Sequence, residues 1–416
     1  MRELKTAQRV ERHIIKESCG SYRLLKEFCK RANNLYNHAN YLVKKELDEN
    51  KKWLRYEELD KLLKKDQEFP DYKMMPTAQV AQQTLKLLDK NWISYFKSLK
   101  EWEKDKSKFL GKPKSPKYKK KGGESILILT NQVVKLKNGK IFFPKTFQGF
   151  TLTTKIEEKP DFVSLQQVRF VPKPNHIVIE VVYKVTVLEL MPDNGRYMSI
   201  DLGLNNLVAA TNNVGEKPFI VNGRVIKSIN QYYNKKIGHF QGIAKLLNGR
   251  YRTRQIEKIT FWRNQKIENY LHKASHFIVG WAVKNDISKI VIGYNDGWKQ
   301  RVNLRRKTNQ NFVGIPLFKL IEKIMYKAED VGIEVILTEE SYTSGTSFLD
   351  NEPPTKEFYN KKRRIKRGLF KTNLGQLINS DINGSLQIMK KVFPNVSNQL
   401  WDSGCVMQPV KVSFAA

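Results

Sequence analysis

An apolar run that stops on a carboxylate, Tyr197-Met198-Ser199-Ile200-Asp201-Leu202, is followed past Gly203 by a second apolar run, Leu207 to Thr211. The pattern predicts two paired strands joined by a short turn, with Phe219–Val221 a candidate third. Long basic stretches near 227–248 and 252–285 then read as helices. After them come a strand at Lys289–Tyr294, a helix near 315–331, a strand at Ile333–Leu337 and a last helix from Ile382 to Val392. Strands in front, then helix and strand in alternation, is the order of a ribonuclease-H-like α/β fold.

Three segments in this half carry carboxylates at element ends. Asp201 closes an apolar strand beside Gly203, which leaves room for a close backbone or phosphate approach. Glu340 lies just past the strand Ile333–Leu337. Asp381 heads the last helix, where Asn383-Gly384 permits tight packing. Each has a plainer reading: Asp381 as a helix N-cap, Glu339 and Glu340 as surface charges, Asp201 as a turn residue. Together they suit phosphodiester hydrolysis, in which two Mg²⁺ ions about 3.5–4 Å apart activate water and stabilise the leaving oxygen. Mg²⁺ takes carboxylate oxygens and keeps several waters, so a few acidic side chains suffice.

Charge points the same way. Lys+Arg number 75 against 41 Asp+Glu, a formal net charge of +34. That excess disfavours an enzyme of small neutral substrates and favours a polyanion, because each neutralised phosphate releases counterions. No long apolar segment or clean amphipathic basic helix supports a membrane partner. The N-terminus has no signal-peptide core. Cys19, Cys29 and Cys405 form no C-x-x-C pair, which argues against a disulfide framework and for a reducing, intracellular setting.

Upstream, apolar residues at helical spacing predict helices over 20–48 and 76–105, with Pro76 at the start of the second. Their stripes read mostly as core. The basic, proline-punctuated stretch Lys104 to Lys121 is either a solvated tether or a phosphate contact. Its candidates are Lys112, Lys114, Lys117 and Lys119, with Tyr118 able to stack. Residues 124–190 turn to short β-type runs broken by Asn-Gly and Pro, a small barrel or sandwich. Gln79 and Gln83, four apart on one helix face, and Thr130 and Asn131 in the β region have side chains suited to base edges, though exposed surface polarity is the plainer reading of each. Lys299, Arg301 and Arg305 fall in a polar loop that is either solvated or in contact with nucleic acid. His272 and His276 stand four apart without a third ligand, so they read as RNA-contacting or structural.

At these residues the chain resembles the TnpB (OrfB-type) proteins of bacterial and archaeal insertion sequences. Ser199-Ile200-Asp201-Leu202-Gly203-Leu204-Asn205-Asn206-Leu207 is similar to their first RuvC motif. Asn379-Ser380-Asp381-Ile382-Asn383-Gly384-Ser385 is similar to the third, and Arg367-Gly368-Leu369-Phe370 to its approach. Glu339-Glu340-Ser341-Tyr342-Thr343-Ser344 resembles the segment before their zinc finger. Leu271-His272-Lys273-Ala274-Ser275 and Lys108 to Tyr118 also fit, so the likeness spans nearly the whole chain.

The resemblance implies an RNA-guided DNA endonuclease related to compact type V CRISPR effectors. A noncoding guide RNA from the transposon end would direct cutting of double-stranded DNA beside a short adjacent motif, with Mg²⁺ or Mn²⁺ as cofactor. It implies a multidomain α+β chain: a β-barrel wedge domain (1–15 and 116–192), a helical recognition insert (16–115) and a RuvC nuclease domain (193–416). A basic target-nucleic-acid-binding insert at about 345–375 would bring Lys362, Arg363 and Arg364. Monomer and dimer both stay open.

Two departures matter. Most of the family carries its catalytic Glu at the end of the strand matching Lys289–Ile292, where this chain has Gly293. The chain resembles a branch with a rearranged site, in which Glu340 takes over and Asp296 is a weaker substitute. The implied set is Asp201, Glu340 and Asp381, as catalytic residues and metal ligands. The segment from Thr343 to Asp350 has no cysteine, so no zinc is expected. A cleavage-deficient RNA-guided regulator, a CRISPR-associated effector and a strand-joining transposase are the rivals.

Overall fold

Period-2 burial in the strands and long amphipathic helices build the first of two units, residues 1–186 and 187–416. The structure is a computed structural model and describes residues 5–249, 253–295, 297, 310, 313–366, 368–396 and 408–415. In chain order the first unit holds β1 (Thr6–Lys16), α1 (Tyr22–Asn50), α2 (Tyr56–Lys65), α3 (Ala78–Lys104), β2 (Leu127–Thr130), β3 (Lys135–Lys137), β4 (Lys140–Phe142), β5 (Thr151–Thr153), β6 (Phe162–Lys173) and β7 (His176–Thr186).

The apolar stripe of α1 buries Leu25, Phe28, Ala32, Leu35, Ala39 and Val43. That of α3 buries Val80, Leu85, Leu88 and Trp92. Trp92 Nε1 donates to Asn40 Oδ1 at 3.1 Å, joining the two helices. Thr77, not Pro76, caps α3, accepting from the Val80 N–H at 3.3 Å.

Strands β1, β7, β6 and β2 form an open antiparallel sheet in that order, and β3, β4 and β5 form a separate one. The Asn138-Gly139 turn between β3 and β4 has φ of 51° and 68°, the left-handed pair that a two-residue hairpin requires. The expected barrel is not shown: among the described residues β1 and β2 are the two edges of one sheet and do not pair with each other. The sheet buries its apolar face against α1 and α3, so it needs no closure on itself.

The second unit holds β8 (Tyr197–Leu202), β9 (Asn206–Asn212), β10 (Phe219–Asn222), α4 (Arg224–Asn248), α5 (Arg254–Lys284), β11 (Lys289–Gly293), α6 (Leu317–Asp330), β12 (Glu334–Thr338), β13 (Leu369–Lys371), β14 (Leu377–Asn379), α7 (Ser380–Val392) and β15 (Val410–Val412). One mixed sheet runs β12-β11-β8-β9-β10-β15. Within it β8, β9 and β10 form an antiparallel meander, while β11 and β12 lie parallel to β8. This order is consistent with a RuvC-like domain.

Strands β9 and β11 are buried almost throughout, as strands covered on both faces must be. One side packs Ile200, Val208 and Ile292 with Tyr270, Ile278 and Leu320 from α5 and α6. A second cluster joins Ala209 and Ile220 to Ile382 and Leu386 of α7 and to Phe348, Phe370 and Ile378. Among the described residues no helix is long and apolar enough to cross a membrane.

Candidate active site

Parallel pairing brings three strand ends to one edge of the sheet. Ile200 of β8 pairs with Ile292 of β11, and Gly293 pairs with Thr338 of β12. One step further along that register, Asp201 stands level with Gly293. Glu340 follows two residues after Thr338, and α7 packs across β8, β9 and β11. This carboxyl edge of a parallel sheet is where an α/β protein places its ligands.

Asp201 lies against the bare Cα of Gly384. A Cβ at that position would stand 2.8 Å from Asp201 Oδ2. Burial pushes the Asp201 carboxyl well above its ordinary pKa, and the carboxylates of Glu340 and then Asp381 push the same way, while Arg364 opposes them. The three acidic side chains therefore share one electrostatic neighbourhood. Gly203, read as room for a close approach, has that room filled by backbone: a Cβ there would lie 2.5 Å from the Asn206 carbonyl oxygen.

Glu340 occupies a loop, and two side chains hold that loop. Asn295, just past β11, donates from Nδ2 to Glu340 Oε1 at 3.1 Å and accepts the Glu340 backbone N–H at 3.1 Å. Lys391, near the end of α7, donates to the Glu339 carbonyl at 2.8 Å and to the Ser341 carbonyl at 3.1 Å. Beside them Gly293 has no space for a side chain. A Cβ there would lie 2.5 Å from Ile388 Cδ1 and 3.4 Å from Glu340 Cβ.

Asp381 sits in the first turn of α7, and Asn379 is the cap, accepting the Asp381 N–H at 3.0 Å and that of Ile382 at 3.3 Å. Asp381 Oδ2 accepts from Asn206 Nδ2 at 2.6 Å. Its Oδ1 lies 3.6 Å from Arg364, which also donates to Ser380 Oγ at 3.2 Å.

Behind Asp201 a buried hydroxyl cluster joins β8, β9 and α7. Ser199 Oγ lies 2.7 Å from Thr211 Oγ1 and donates to the Ser385 carbonyl at 2.7 Å, while Ser385 Oγ returns a bond to the Ser199 carbonyl at 3.0 Å. Sequence reasoning passed over Asn206, Asn295, Lys391 and this cluster. Asn206 and Ser385 stand inside the quoted motif segments, so proximity in sequence was a signal for them. Asn295 and Lys391 gave none, because only the fold brings them to Glu340.

The Mg²⁺ expected here finds no ready-made cage. Among the described residues no group of three or more His, Cys, Asp or Glu is placed to hold an ion. Like charge and burial favour a protonated Asp201, while Asp381 and Glu340 are engaged by Asn206 and Asn295. Three carboxylates are still the hard oxygen donors that Mg²⁺ takes.

The candidate nucleic-acid contacts divide. Lys114 and Lys117 line a groove with Tyr36, Asn91 and Tyr95. Tyr118 is half exposed with Lys44 Nζ 4.5 Å above its ring, and Lys112 lies 5.5 Å over Trp102. Lys119 is corrected: its ammonium turns inward, 4.0 Å over the Tyr36 ring and bonded to Ser125 Oγ, and burial lowers its pKa to about 8. Arg363 is corrected too, since it pairs internally with Asp350 at 3.0 Å and Glu352 at 2.5 Å. Lys362 is exposed, and Arg364 faces Asp381. Gln79 Nε2 donates to Thr130 Oγ1 at 2.9 Å, Gln83 is half buried and Asn131 is exposed. His272 Nε2 lies 3.0 Å from Lys323 Nζ and 3.5 Å from Glu268. Asp296, Lys299, Arg301 and Arg305 lie outside the described residues.

Residues 180–299 match the family model described as a probable transposase, OrfB_IS605, and residues 318–388 match the Cas12f1-like TNB domain. The chain is thus similar to the TnpB-like transposases over β8 to β11, and to a Cas12f-like TNB domain from α6 into α7. Among solved structures it resembles Cas12f1 in its complex with sgRNA and target DNA. That likeness has a TM-score of 0.55 at 15% identity and covers 88% of this chain and 82% of that one, a likeness of fold. The mini-RNA-guided endonuclease CRISPR-Cas_phi3 is more distant, with a TM-score of 0.46 at 10% identity over 97% of this chain and 93% of that one. No curated protein matches the sequence.

The second family match corrects the expectation about zinc, because a TNB domain in Cas12f-like proteins typically binds it. Residues 318–388 of this chain contain no cysteine and no histidine, and Arg363 engages the carboxylates of Asp350 and Glu352. These side chains are not the cysteine and histidine set of a structural zinc.

Proposed function

We propose that the chain is an RNA-guided DNA endonuclease that hydrolyses double-stranded DNA beside a short adjacent motif. The observation that carries this reading is the convergence of Asp201, Glu340 and Asp381, from separate elements, at one sheet edge: Asp201 lies against Gly384 on the helix that bears Asp381, and stands level with Gly293, whose built Cβ would lie 3.4 Å from the Glu340 Cβ. Like-charged carboxylates gathered at a sheet edge are unfavourable in isolation and suit a site that takes up positive charge.

In this reading Asp201, Glu340 and Asp381 would hold divalent cations. Such ions, when bound, activate water and stabilise the leaving oxygen. Asn206 fixes the Asp381 carboxylate and Asn379 fixes its place at the helix head. Arg364, beside Asp381, would meet a phosphate oxygen. Lys112, Lys114, Lys117, Tyr118 and Lys362 present charge and an aromatic face to the backbone of guide or target. Base pairing with the guide would supply sequence specificity.

The test is to express the protein with its native flanking DNA and sequence the RNA that co-purifies. A matching duplex with randomised flanks is then offered in Mg²⁺ buffer. Wild type cuts, and Glu340→Ala retains the RNA but does not cut. RNA binding without any cutting supports the regulator reading instead, and absence of bound RNA overturns both. Full activity in Glu340→Ala overturns the assignment of that residue.

A further inference from the structure

We infer that Asn295 is the positioning residue for Glu340, fixing a loop-borne carboxylate that no strand supports. The inference rests on the site proposed above and adds a residue to it. A side chain at a strand end has its backbone set by the ladder. Glu340 lies beyond the last paired residue of β12, Thr338, so its backbone and its rotamers must be set by other means.

Asn295 does both at once. Its Oδ1 accepts the Glu340 N–H at 3.1 Å, and its Nδ2 donates to Glu340 Oε1 at 3.1 Å. Two bonds from one planar amide to the two ends of one residue fix where the chain runs and where the carboxylate points. Freezing a glutamate side chain costs on the order of 1.5–2 kcal/mol of rotamer entropy, and Asn295 imposes that order before any ligand arrives. The amide follows Gly293 by two residues, so β11 contributes to the site through Asn295 although its own end carries no side chain. Lys391 acts on the flanking backbone, at the Glu339 and Ser341 carbonyls.

A ligand-orienting partner of this kind typically contributes 10- to 100-fold in metal affinity. The test is Mn²⁺ binding to the purified protein–RNA complex, read by electron paramagnetic resonance, with melting temperature as the check on folding. Asn295→Ala is expected to weaken Mn²⁺ binding about 10- to 100-fold. Asn295→Gln is the second variant: it keeps the amide but carries it one methylene further out, so it misplaces the donor to Oε1 without adding a carboxylate that could take the ion. It is expected to bind Mn²⁺ no better than Asn295→Ala. Wild-type Mn²⁺ binding in Asn295→Gln would show that the placement of the amide does not matter and overturn the inference. Wild-type binding in Asn295→Ala, with binding lost in Glu340→Ala, would overturn it while leaving the site intact. Wild-type binding in Glu340→Ala would overturn the site itself.

Discussion

A Cβ built on Gly293 would lie 3.4 Å from the Glu340 Cβ, at van der Waals contact, so the two positions are neighbours in space. Gly293 ends β11, while Glu340 lies in the loop two residues past the end of β12. A side chain at 293 is expected to harm the fold. The same Cβ would lie 2.5 Å from Cδ1 of the buried Ile388, so Gly293→Ala should destabilise by about 1–3 kcal/mol through overpacking. Ile388→Val removes that Cδ1. The double variant should be less destabilised than the sum of the singles in denaturant melts, a coupling that additive behaviour would refute.

Asp201→Asn is expected to stabilise the protein in divalent-free buffer. The folded-state pKa of Asp201 is raised by burial and by Glu340 and Asp381, so its ionisation opposes folding. The gain should be fully present above that raised value, shrink as pH falls through it, and vanish below the ordinary aspartate range. Thermal melts across pH check the sign. A Tm loss at neutral pH would show that Asp201 is stabilising.

Arg363→Met is expected to destabilise by about 3–5 kcal/mol, the cost of leaving buried charge without its partner. The side chains of Asp350 and Glu352 are only 7% and 13% exposed, so water cannot replace the guanidinium. Limited proteolysis should find its new cuts between 345 and 379. A variant with unchanged melting and cleavage would remove the pair from any structural account.

Lys119 and Lys117 should behave in opposite ways. Burial lowers the Lys119 pKa to about 8 from 10.5. The folded protein therefore carries a penalty for the charged form below about pH 8, which fades as pH rises toward the unfolded value. Wild type should gain stability relative to Lys119→Met across that window, and Lys119→Met should leave the salt dependence of nucleic-acid binding unchanged. Lys117→Ala should keep the melting temperature and reduce the salt slope by about 1.

Much of the second unit was legible because its signals are local. Apolar runs marked β8, β9, β11 and β12, and helical spacing marked α5 and α6 within a few residues. Asp201 and Asp381 could be placed at element ends by counting along those runs. What local pattern cannot carry is partnership across the chain. A count of cations treats Arg363, Arg364 and Lys362 alike, yet one is buried on Asp350, one faces Asp381 and one is exposed. Whether the strands close into a barrel is not legible for a related reason, since strand character does not say whether a sheet closes or is covered by helices. The short pair β13 and β14 escaped notice because three-residue strands are too brief to show a period.

The helix α7 has one more consequence. Asp381 rides on its first turn, Gly384 lies against Asp201, Ile388 fills the space beside Gly293 and Lys391 ties down the loop of Glu340. α7 thus meets the surroundings of all three carboxylates, and a substitution that shifts this one helix is expected to be felt at all three.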